Sequence, residues 1–212
     1  MAFTQHDSTT RLGCLFLGLV VFLLNQECVQ GVVSVGFGPC RYRSTLMDDF
    51  SLDRYLGKWY QQKLLSNLDL TYFVASCTRC PQQRLQYNNK TNTVHVYNSV
   101  LVNVGFSEIS YSVKGTATPV PGEVGKLEVT LEVFPGILVQ SPLYILSTDY
   151  LSYSIAWSCR EVLGGAINIQ SGFILSRHPH VDAQYNNAIY NETAQLGFRL
   201  ENFVQMNQHG CL

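Results

Sequence analysis

The residue types first suggest a cysteine site, because Cys77-Thr78-Arg79-Cys80 has CxxC spacing. This spacing occurs in redox-active thiol sites and in one half of a tetrahedral zinc site. The second half of a zinc site is missing from the sequence, and His178-Pro179-His180 lies on the approach to a predicted helix. We therefore favour a structural disulfide with one additional cysteine, and we expect no metal and no cofactor.

Motifs for catalysis are absent from the sequence, which has no Gly-x-Ser-x-Gly, no His-Glu-x-x-His and no phosphate-binding loop. This agrees with a binding protein better than with an enzyme. Charged residues make up 14% of the chain, the net charge is −1, and no long run of Lys or Arg occurs. A surface for nucleic acid is therefore not expected.

Trp59 and Arg177 form the second candidate constellation. Ser51 can cap one helical turn, and Gly57 lets the backbone turn tightly before Trp59 enters a strand. An indole at this point can plug one end of a barrel, and its face attracts a guanidinium such as that of Arg177. We interpret both side chains as structural groups and not as ligand contacts.

The elements that must position these residues are β-strands. From Trp59 onward, short β-rich segments alternate with turn residues at nearly even spacing, which is typical of an antiparallel barrel or sandwich. The predicted strands are Lys58–Leu65, Gln82–Tyr87, Thr93–Val102, Glu108–Thr116, Lys126–Val133, Leu143–Thr148, Tyr153–Cys159 and Gly172–Arg177. Eight strands closed into a barrel leave an interior large enough for side chains or for one small ligand.

After Pro179 the apolar residues recur at helical spacing. They are Val181, Tyr185, Ala188, Ile189 and Leu196. Gly197 is well placed to end this helix, which should pack against the outside of the barrel.

The N-terminal segment has the features of a secretory signal. Arg11 precedes the apolar run Leu12–Leu24, which is shorter than the roughly twenty residues of a membrane span. We predict a signal peptide over residues 1–31, cleavage near Val32, and a single domain over residues 32–212. An uncleaved anchor is the alternative, and no membrane span is expected in the mature chain.

Export would leave five cysteines, which predicts two disulfides and one remaining thiol in an oxidising compartment. The sequons Asn89-Lys90-Thr91 and Asn191-Glu192-Thr193 are candidate glycosylation sites, at Asn89 and Asn191. The sequence therefore indicates a secreted, disulfide-bonded glycoprotein.

Three segments taken in order resemble the signatures of the lipocalin family: Gly57-Lys58-Trp59, Thr148-Asp149-Tyr150 and Arg177. Within that family the chain is most similar to the branch of apolipoprotein D, insect bilin-binding protein and crustacyanin. The residues that carry this likeness are Gly115–Val120, Lys126–Val129, Ile145–Tyr150, Tyr153 with Ser158-Cys159, and Phe173–Arg177.

The resemblance implies an all-β fold, an eight-stranded antiparallel up-and-down barrel with a C-terminal helix packed outside. It also implies one disulfide between Cys40 and Cys159, and another between Cys211 and a cysteine of the second barrel strand. The distance onward to Val94-His95-Val96 favours Cys80 for that position. Pairing of Cys77 with Cys211 is the alternative that remains open.

The resemblance further implies a ligand in the open end of the barrel. If Trp59 points inward, strand alternation places Gln61 and Lys63 on the same side, and an inward Arg177 brings Leu175 and Phe173 with it. Lys63 could then pair with an acidic ligand group, or it could reach solvent near the rim. Weaker candidates are the aromatic residues Tyr97, Tyr144, Tyr153 and Trp157. An error of one residue in strand phase would reverse every such assignment.

By this resemblance the protein would be an extracellular carrier of a small hydrophobic ligand, of the lipid, steroid, tetrapyrrole or carotenoid class. One alternative is a lipid isomerase that uses Cys77 as a cavity thiol. The other is a pigment-complex subunit that binds protein partners and fills the barrel with its own side chains. Contact with a membrane or lipoprotein surface and assembly into homo-oligomers are further expected associations.

Overall fold

A computed structural model describes residues 36–67, 75–91, 93–104 and 106–212. The predicted signal peptide, with Cys14 and Cys28, lies outside the described residues. The strands are β1 Gly36–Phe37, β2 Gly57–Ser66, β3 Thr78–Asn88, β4 Thr93–Asn103, β5 Glu108–Pro119, β6 Lys126–Phe134, β7 Ile137–Thr148, β8 Tyr153–Val162, β9 Ile167–Ser176 and β10 Val204–Gln205. The α-helices are α1 Leu52–Tyr55 and α2 Asn186–Gln195, and 3-10 helices span Leu163–Gly165, Ala183–Tyr185 and Leu200–Asn202.

Strands β2 to β9 form a closed barrel. Each strand pairs antiparallel with its neighbour in the chain, and β2 pairs with both β3 and β9. The closing register includes Tyr60 opposite Ser176 and Gln61 opposite Leu175. The short strands β1 and β10 extend the sheet beside β9 and β2. The predicted eight-stranded antiparallel barrel is therefore confirmed.

Several strands run further than the sequence predicts, and in two of them a proline lies near the beginning. Strand β3 begins at Thr78 instead of Gln82, and β7 begins at Ile137 instead of Leu143. Pro81 and Pro142 obscure these beginnings in the sequence because proline cannot donate to a ladder. In β3 the register shifts between Arg79 and Gln82, so Pro81 is accommodated at an irregularity.

Apolar side chains form two clusters, one on each side of the barrel wall. The inner cluster surrounds Trp59, which has no exposed surface and stacks on Tyr55 with ring centroids 4.9 Å apart. The outer cluster joins Trp157 and Ile155 of β8 to Ile189 of α2. The inner cluster closes one end of the barrel, and the outer cluster attaches the C-terminal helix.

Helix α2 lies outside the barrel, as predicted. Before it, the Asp182 side chain accepts a hydrogen bond from the backbone N–H of Gln184, at 3.2 Å. After it, Gly197 adopts a φ of +75°, a left-handed conformation that ends the helix. The Glu192 carboxylate accepts hydrogen bonds from Tyr153 Oη and Ser147 Oγ on the barrel. Among the described residues, no helix has the length and apolar character needed to cross a membrane.

Two disulfides tie the chain segments outside the barrel to its wall. One joins Cys40 to Cys159 of β8, and the other joins Cys80 of β3 to Cys211. This is the pairing that the resemblance implies, with Cys80 in the second barrel strand. Cys77 takes part in neither disulfide and is buried.

Candidate functional site

The end of the barrel that contains Trp59 is sealed by Arg177, and we call it the closed end. The guanidinium carbon of Arg177 lies 3.7 Å from the centroid of the Trp59 ring. Its three nitrogens donate to four backbone carbonyls at 2.9–3.0 Å, those of Arg54, Leu56, Lys58 and Tyr150. Burial lowers the pKa of Arg177, and four of the five N–H donors of its planar guanidinium are used in these hydrogen bonds.

Gly57 is needed for this arrangement. Its φ is +100°, and a Cβ at this position would lie 3.2 Å from a nitrogen of Arg177. The segment Thr148-Asp149-Tyr150 forms the turn beside it. Asp149 Oδ1 accepts hydrogen bonds from three successive backbone N–H groups at 2.8–3.1 Å, those of Leu151, Ser152 and Tyr153. Thr148 Oγ1 accepts from the N–H of Tyr150 and donates to the carbonyl of Tyr153. The signature residues thus build the closed end and leave the opposite, open end to other segments.

Above the closed end, the barrel encloses a cavity of about 530 Å³. Most of its wall is apolar. The apolar lining residues are Leu64, Pro81, Leu85, Val96, Val100, Val102, Val113, Ala117, Leu127, Val129, Leu131, Leu143, Ala156, Phe173, Leu175 and Met206. Among the described residues, no Asp, Glu, Lys, Arg or His lines the cavity.

The polar groups of the cavity are neutral. The polar lining residues are Gln61, Thr78, Gln82, Gln83, Asn98, Ser99, Tyr111, Ser141 and Ser158. Ser141 Oγ and Ser158 Oγ share one hydrogen bond at 2.8 Å, and Gln82 Nε2 donates to Ser99 Oγ at 3.2 Å. Asn98 Oδ1 and Gln82 Oε1 are buried and accept no hydrogen bond from the described residues. The cavity is therefore chemically suited to an apolar molecule with a few neutral polar groups.

Three predicted ligand contacts lie at this cavity, namely Gln61, Phe173 and Leu175. Gln61 and Leu175 are register partners on β2 and β9. All three residues line the cavity, as a ligand contact must, and their contact with a ligand stays a prediction.

The predicted inward orientation of Lys63 is wrong. The register between β2 and β9 shifts between Gln61 and Lys63, so two successive residues fall on the outer face before Leu64 returns to the cavity. Lys63 instead lines an external groove beside α2, together with Gln62 and Tyr190. No pairing between Lys63 and a ligand group inside the barrel is available in this arrangement.

The aromatic candidates also lie outside the barrel, which corrects their assignment as ligand contacts. Tyr97 stacks on His95 with centroids 6.3 Å apart, whereas its neighbours Val96 and Asn98 line the cavity. Tyr153 donates to Glu192 of α2 at 2.8 Å. Tyr144 and Trp157 pack together with centroids 5.2 Å apart in the outer cluster. Strand alternation gives the reason, because each of these residues has the opposite parity to a cavity-lining neighbour.

Apart from Gln61, sequence analysis missed the neutral polar residues of the wall. Asn98 lies between Val96 and Val100 on β4, in an alternating series that runs from Val94 to Val102. Counting that alternation from Val94 would have identified Asn98 as inward. Gln83 carried no comparable signal because polar residues, Gln82 and Arg84, lie on both sides of it in the sequence.

The remaining candidates lie away from the cavity. Cys77 is 4% exposed and is not among the cavity-lining residues, although Thr78 is. Asn89 is exposed at the turn after β3, and Asn191 is exposed on α2. Both asparagines are accessible to a glycan, and their occupancy stays a prediction.

Comparisons with known proteins agree with this architecture. A family model described as a lipocalin-like domain matches residues 50–208. The Lazarillo protein of Schistocerca americana is 25% identical over 205 residues, which cover 93% of this chain and 86% of that protein. Apolipoprotein D of Bos taurus is 24% identical over 176 residues, covering 82% and 85% of the two chains.

Among solved structures, insecticyanin from the tobacco hornworm Manduca sexta superposes with a TM-score of 0.65. Its sequence identity is 20%, and the match covers 84% of this chain and 89% of insecticyanin. At this identity the likeness supports the fold alone. The family model spans all barrel strands from β2 to β9 and includes β10, so the chain belongs to the lipocalin family.

Proposed function

We propose that this protein is an extracellular carrier that binds one small hydrophobic molecule inside its barrel. The observation that carries the proposal is the apolar cavity of about 530 Å³ above the plug of Trp59 and Arg177. Its volume lies within the roughly 300–1,000 Å³ of typical small-molecule sites. Binding would be driven by the removal of apolar ligand surface from water.

The two alternatives have less support. A cavity-thiol isomerase needs a thiol against the ligand, and Cys77 is not among the residues that line the cavity. A purely protein-binding subunit whose own side chains fill the barrel does not account for a cavity of this volume. Assembly into homo-oligomers is compatible with ligand carriage and is proposed only as an addition to it.

Extracellular location rests on three features of the chain. We propose removal of residues 1–31 and a mature domain over residues 32–212, because the first segment has the pattern of a secretory signal. The disulfides Cys40–Cys159 and Cys80–Cys211 are typical of proteins from oxidising compartments. The exposure of Asn89 and Asn191 is compatible with glycosylation at both sequons.

A lipid surface is the proposed place where ligand is loaded. The open end carries exposed apolar side chains on its connections and on the strand ends beside them, namely Phe106, Phe134, Ile137, Leu138 and Leu163. Arg79 at this end is already paired with Glu108, which favours an electrically neutral surface over an anionic one. The ligand would then pass between lipid and cavity through apolar surroundings.

The proposal is tested by blocking the cavity from within. Val113 lines the cavity on β5, and Lys114 beside it is exposed on the outer face. We expect Val113→Trp to weaken binding of the neutral fluorophore Nile red at least tenfold, because the indole occupies ligand space. Lys114→Trp is the matched control and should bind like the wild-type protein.

Native mass spectrometry and an absorption spectrum of protein purified from its source would identify the bound molecule. A wild-type protein that binds neither Nile red nor any member of a sterol, fatty alcohol, tetrapyrrole and carotenoid panel would refute the carrier function. Equal binding by the Val113→Trp variant and the wild type would place the ligand outside the barrel.

A further inference from the structure

We infer that the ligand enters the cavity sideways, through a gap in the barrel wall between β5 and β6, and that the side chain of Tyr111 is the latch that closes this gap. This inference rests on the proposed carrier function and adds the route by which the ligand reaches the cavity. It gives the hydroxyl of Tyr111 a role in the rate of ligand exchange and not in the affinity.

The gap lies at the open end, where β5 extends beyond the ladder that joins it to β6. Strand β5 pairs with β4 from its first residue, Glu108, whereas its register with β6 begins at Lys114 opposite Glu132. In the described part of the chain, residues 108–113 therefore pair with β4 alone. By contrast, β8 and β9 stay paired up to the connection that joins them. The wall between β5 and β6 thus lacks, near the mouth, the backbone hydrogen bonds that close a barrel.

The other border of the gap is the tip of the β6–β7 hairpin, residues 133–142. The register between β7 and β8 begins only at Leu143 opposite Ser158. Among the described residues, the tip is therefore paired within its own hairpin and with neither β5 nor β8. Segments with few ladder partners open at a lower free-energy cost than the strands of a core. The tip can thus move away from β5 while the lower part of the barrel stays paired.

Tyr111 spans the gap. It lines the cavity together with Val113 on the same strand and with its register partner Val100 on β4. Its hydroxyl donates to the carbonyl of Val133 at 2.7 Å. Val133 is the residue that the register between β6 and β7 skips, so the phenol binds a carbonyl at a bulge of the tip. One side chain therefore links the two borders where the ladder does not.

The surroundings of Tyr111 allow this link to open and to pass a hydrophobic molecule. The side chain is 42% exposed, so water can replace the hydrogen bond to Val133 at a small net cost. Apolar side chains border the gap, with Ile109 exposed on β5 and Phe134 and Ile137 exposed on the tip. A ligand that arrives from a lipid surface would keep apolar contacts until it passes the Tyr111 ring.

Tyr111→Phe tests the latch, because it keeps the ring in the wall and removes the hydroxyl. The association and dissociation rate constants of Nile red are measured by stopped-flow fluorescence in buffer without vesicles. Both should rise by about fivefold, because the lost hydrogen bond destabilises the closed gap to the same extent with and without ligand. Tyr97→Phe is the matched control, since Tyr97 lies on the outer face of β4 and its hydroxyl makes no hydrogen bond with the described residues. Its rate constants should equal those of the wild type.

A bulky label tests the route independently of the latch. Cys77 is buried, so a cysteine introduced at the surface can be labelled selectively with a polyethylene glycol maleimide. A label on Phe134→Cys stands beside the gap and should lower both rate constants by roughly threefold or more, because it obstructs entry and exit alike. Leu163→Cys is the matched control, because Leu163 is exposed on the connection between β8 and β9, away from the gap. Its label should slow exchange less.

Unchanged rate constants in Tyr111→Phe would overturn its role as the latch. A rise in the dissociation rate constant alone would do the same, because the hydroxyl would then contact the ligand. Equal slowing by the labels on Phe134→Cys and Leu163→Cys would place entry across the whole mouth and overturn the gap as the route. Failure of the wild type to bind Nile red or any ligand of the panel would instead refute the carrier function itself.

Discussion

Tyr55 lies in the closed end of the barrel, stacked on Trp59 and without exposed surface. Its hydroxyl is 3.1 Å from Ser154 Oγ, which is also fully buried. Burial raises the pKa of Tyr55 well above its ordinary value, although the hydrogen bond with Ser154 and the charge of Arg177 act in the opposite direction. The phenol is therefore held in its neutral form inside the fold.

This environment makes the stability of the barrel sensitive to alkaline pH. In the unfolded chain Tyr55 ionises near pH 10, whereas in the folded protein its pKa is higher, so stability is complete below about pH 10 and falls above it. We expect Tyr55→Phe to reduce the slope of the unfolding free energy against pH above pH 10, by at most about 1.4 kcal/mol per pH unit. Urea unfolding between pH 9 and pH 11.5 measures this slope.

Tyr190→Phe is the matched control for that experiment, because Tyr190 is 58% exposed on α2. Its slope should equal that of the wild type. An unchanged slope in Tyr55→Phe would mean that the phenol reaches water in the folded protein. Tyr153, whose pKa is also raised chiefly by burial, accounts for part of the slope that remains.

At the residue scale, the sequence is informative where a function requires one residue type. Trp59, Gly57 and Arg177 could be identified because the plug needs an indole, a left-handed backbone and a guanidinium at fixed places. The residue type of Asn98 carries no such requirement, since an amide in a strand suits either face, and only its place in the alternating series from Val94 to Val102 indicates that it points inward. The burial of its Oδ1, which accepts no hydrogen bond from the described residues, follows from tertiary structure alone.

At the scale of elements, the strands and the outer helix were predictable because their apolar periodicities are clear. The register shift between Gln61 and Lys63 was not predictable. An extra residue in one strand of a ladder alters the local backbone without leaving a signal in the amino-acid composition. This shift places Lys63 on the outer face, whereas Gln61 lies at the cavity as predicted. The tyrosine and tryptophan candidates failed for a related reason, since aromatic residues pack well on both faces of a strand.

The segment before α1 is an element without regular structure that crosses the outside of the barrel. Cys40 anchors it to Cys159, and the guanidinium of Arg43 lies 3.9 Å from the Phe198 ring centroid. Arg43 also donates to the carbonyl of Leu196 at 2.8 Å, so the segment holds the C-terminal end of α2. The disulfide therefore stabilises the segment before α1 and, through Arg43, the C-terminal end of α2, neither of which belongs to the β-ladder of the barrel.

Removal of this bridge is expected to lower stability without opening the barrel. We expect the double variant Cys40→Ser/Cys159→Ser to lose about 2–5 kcal/mol of unfolding free energy, because the unfolded chain regains the entropy of a long loop. The ladder of β2 to β9 should persist, as judged by far-UV circular dichroism at 10 °C. Chemical denaturation gives the free energy, and an unchanged midpoint would show that the bridge contributes nothing to stability.

At the scale of the whole molecule, exposed apolar residues are distributed unevenly between the two ends of the barrel. Phe106 and Leu163 project from connections at the open end, and Phe134, Ile137 and Leu138 surround the β6–β7 turn there. At the closed end, Leu151 is one exposed residue of comparable size, with 76% of its surface accessible. Apolar residues placed around the mouth of an apolar cavity favour contact with a lipid surface over a role in folding.

This distribution predicts that ligand is taken up by collision with lipid. We expect the rate of Nile red transfer from phosphatidylcholine vesicles to rise with vesicle concentration, and to fall at least fivefold in Phe106→Ser/Leu163→Ser. The affinity for Nile red should be unchanged, because neither residue lines the cavity. Leu151→Ser is the matched control, since Leu151 is as exposed as Leu163 but lies at the closed end. Equal transfer rates in the wild type and the double variant would exclude loading at a lipid surface. A wild-type dimer that dissociates in the double variant would instead show that the exposed apolar residues of the open end bind a second copy of this chain.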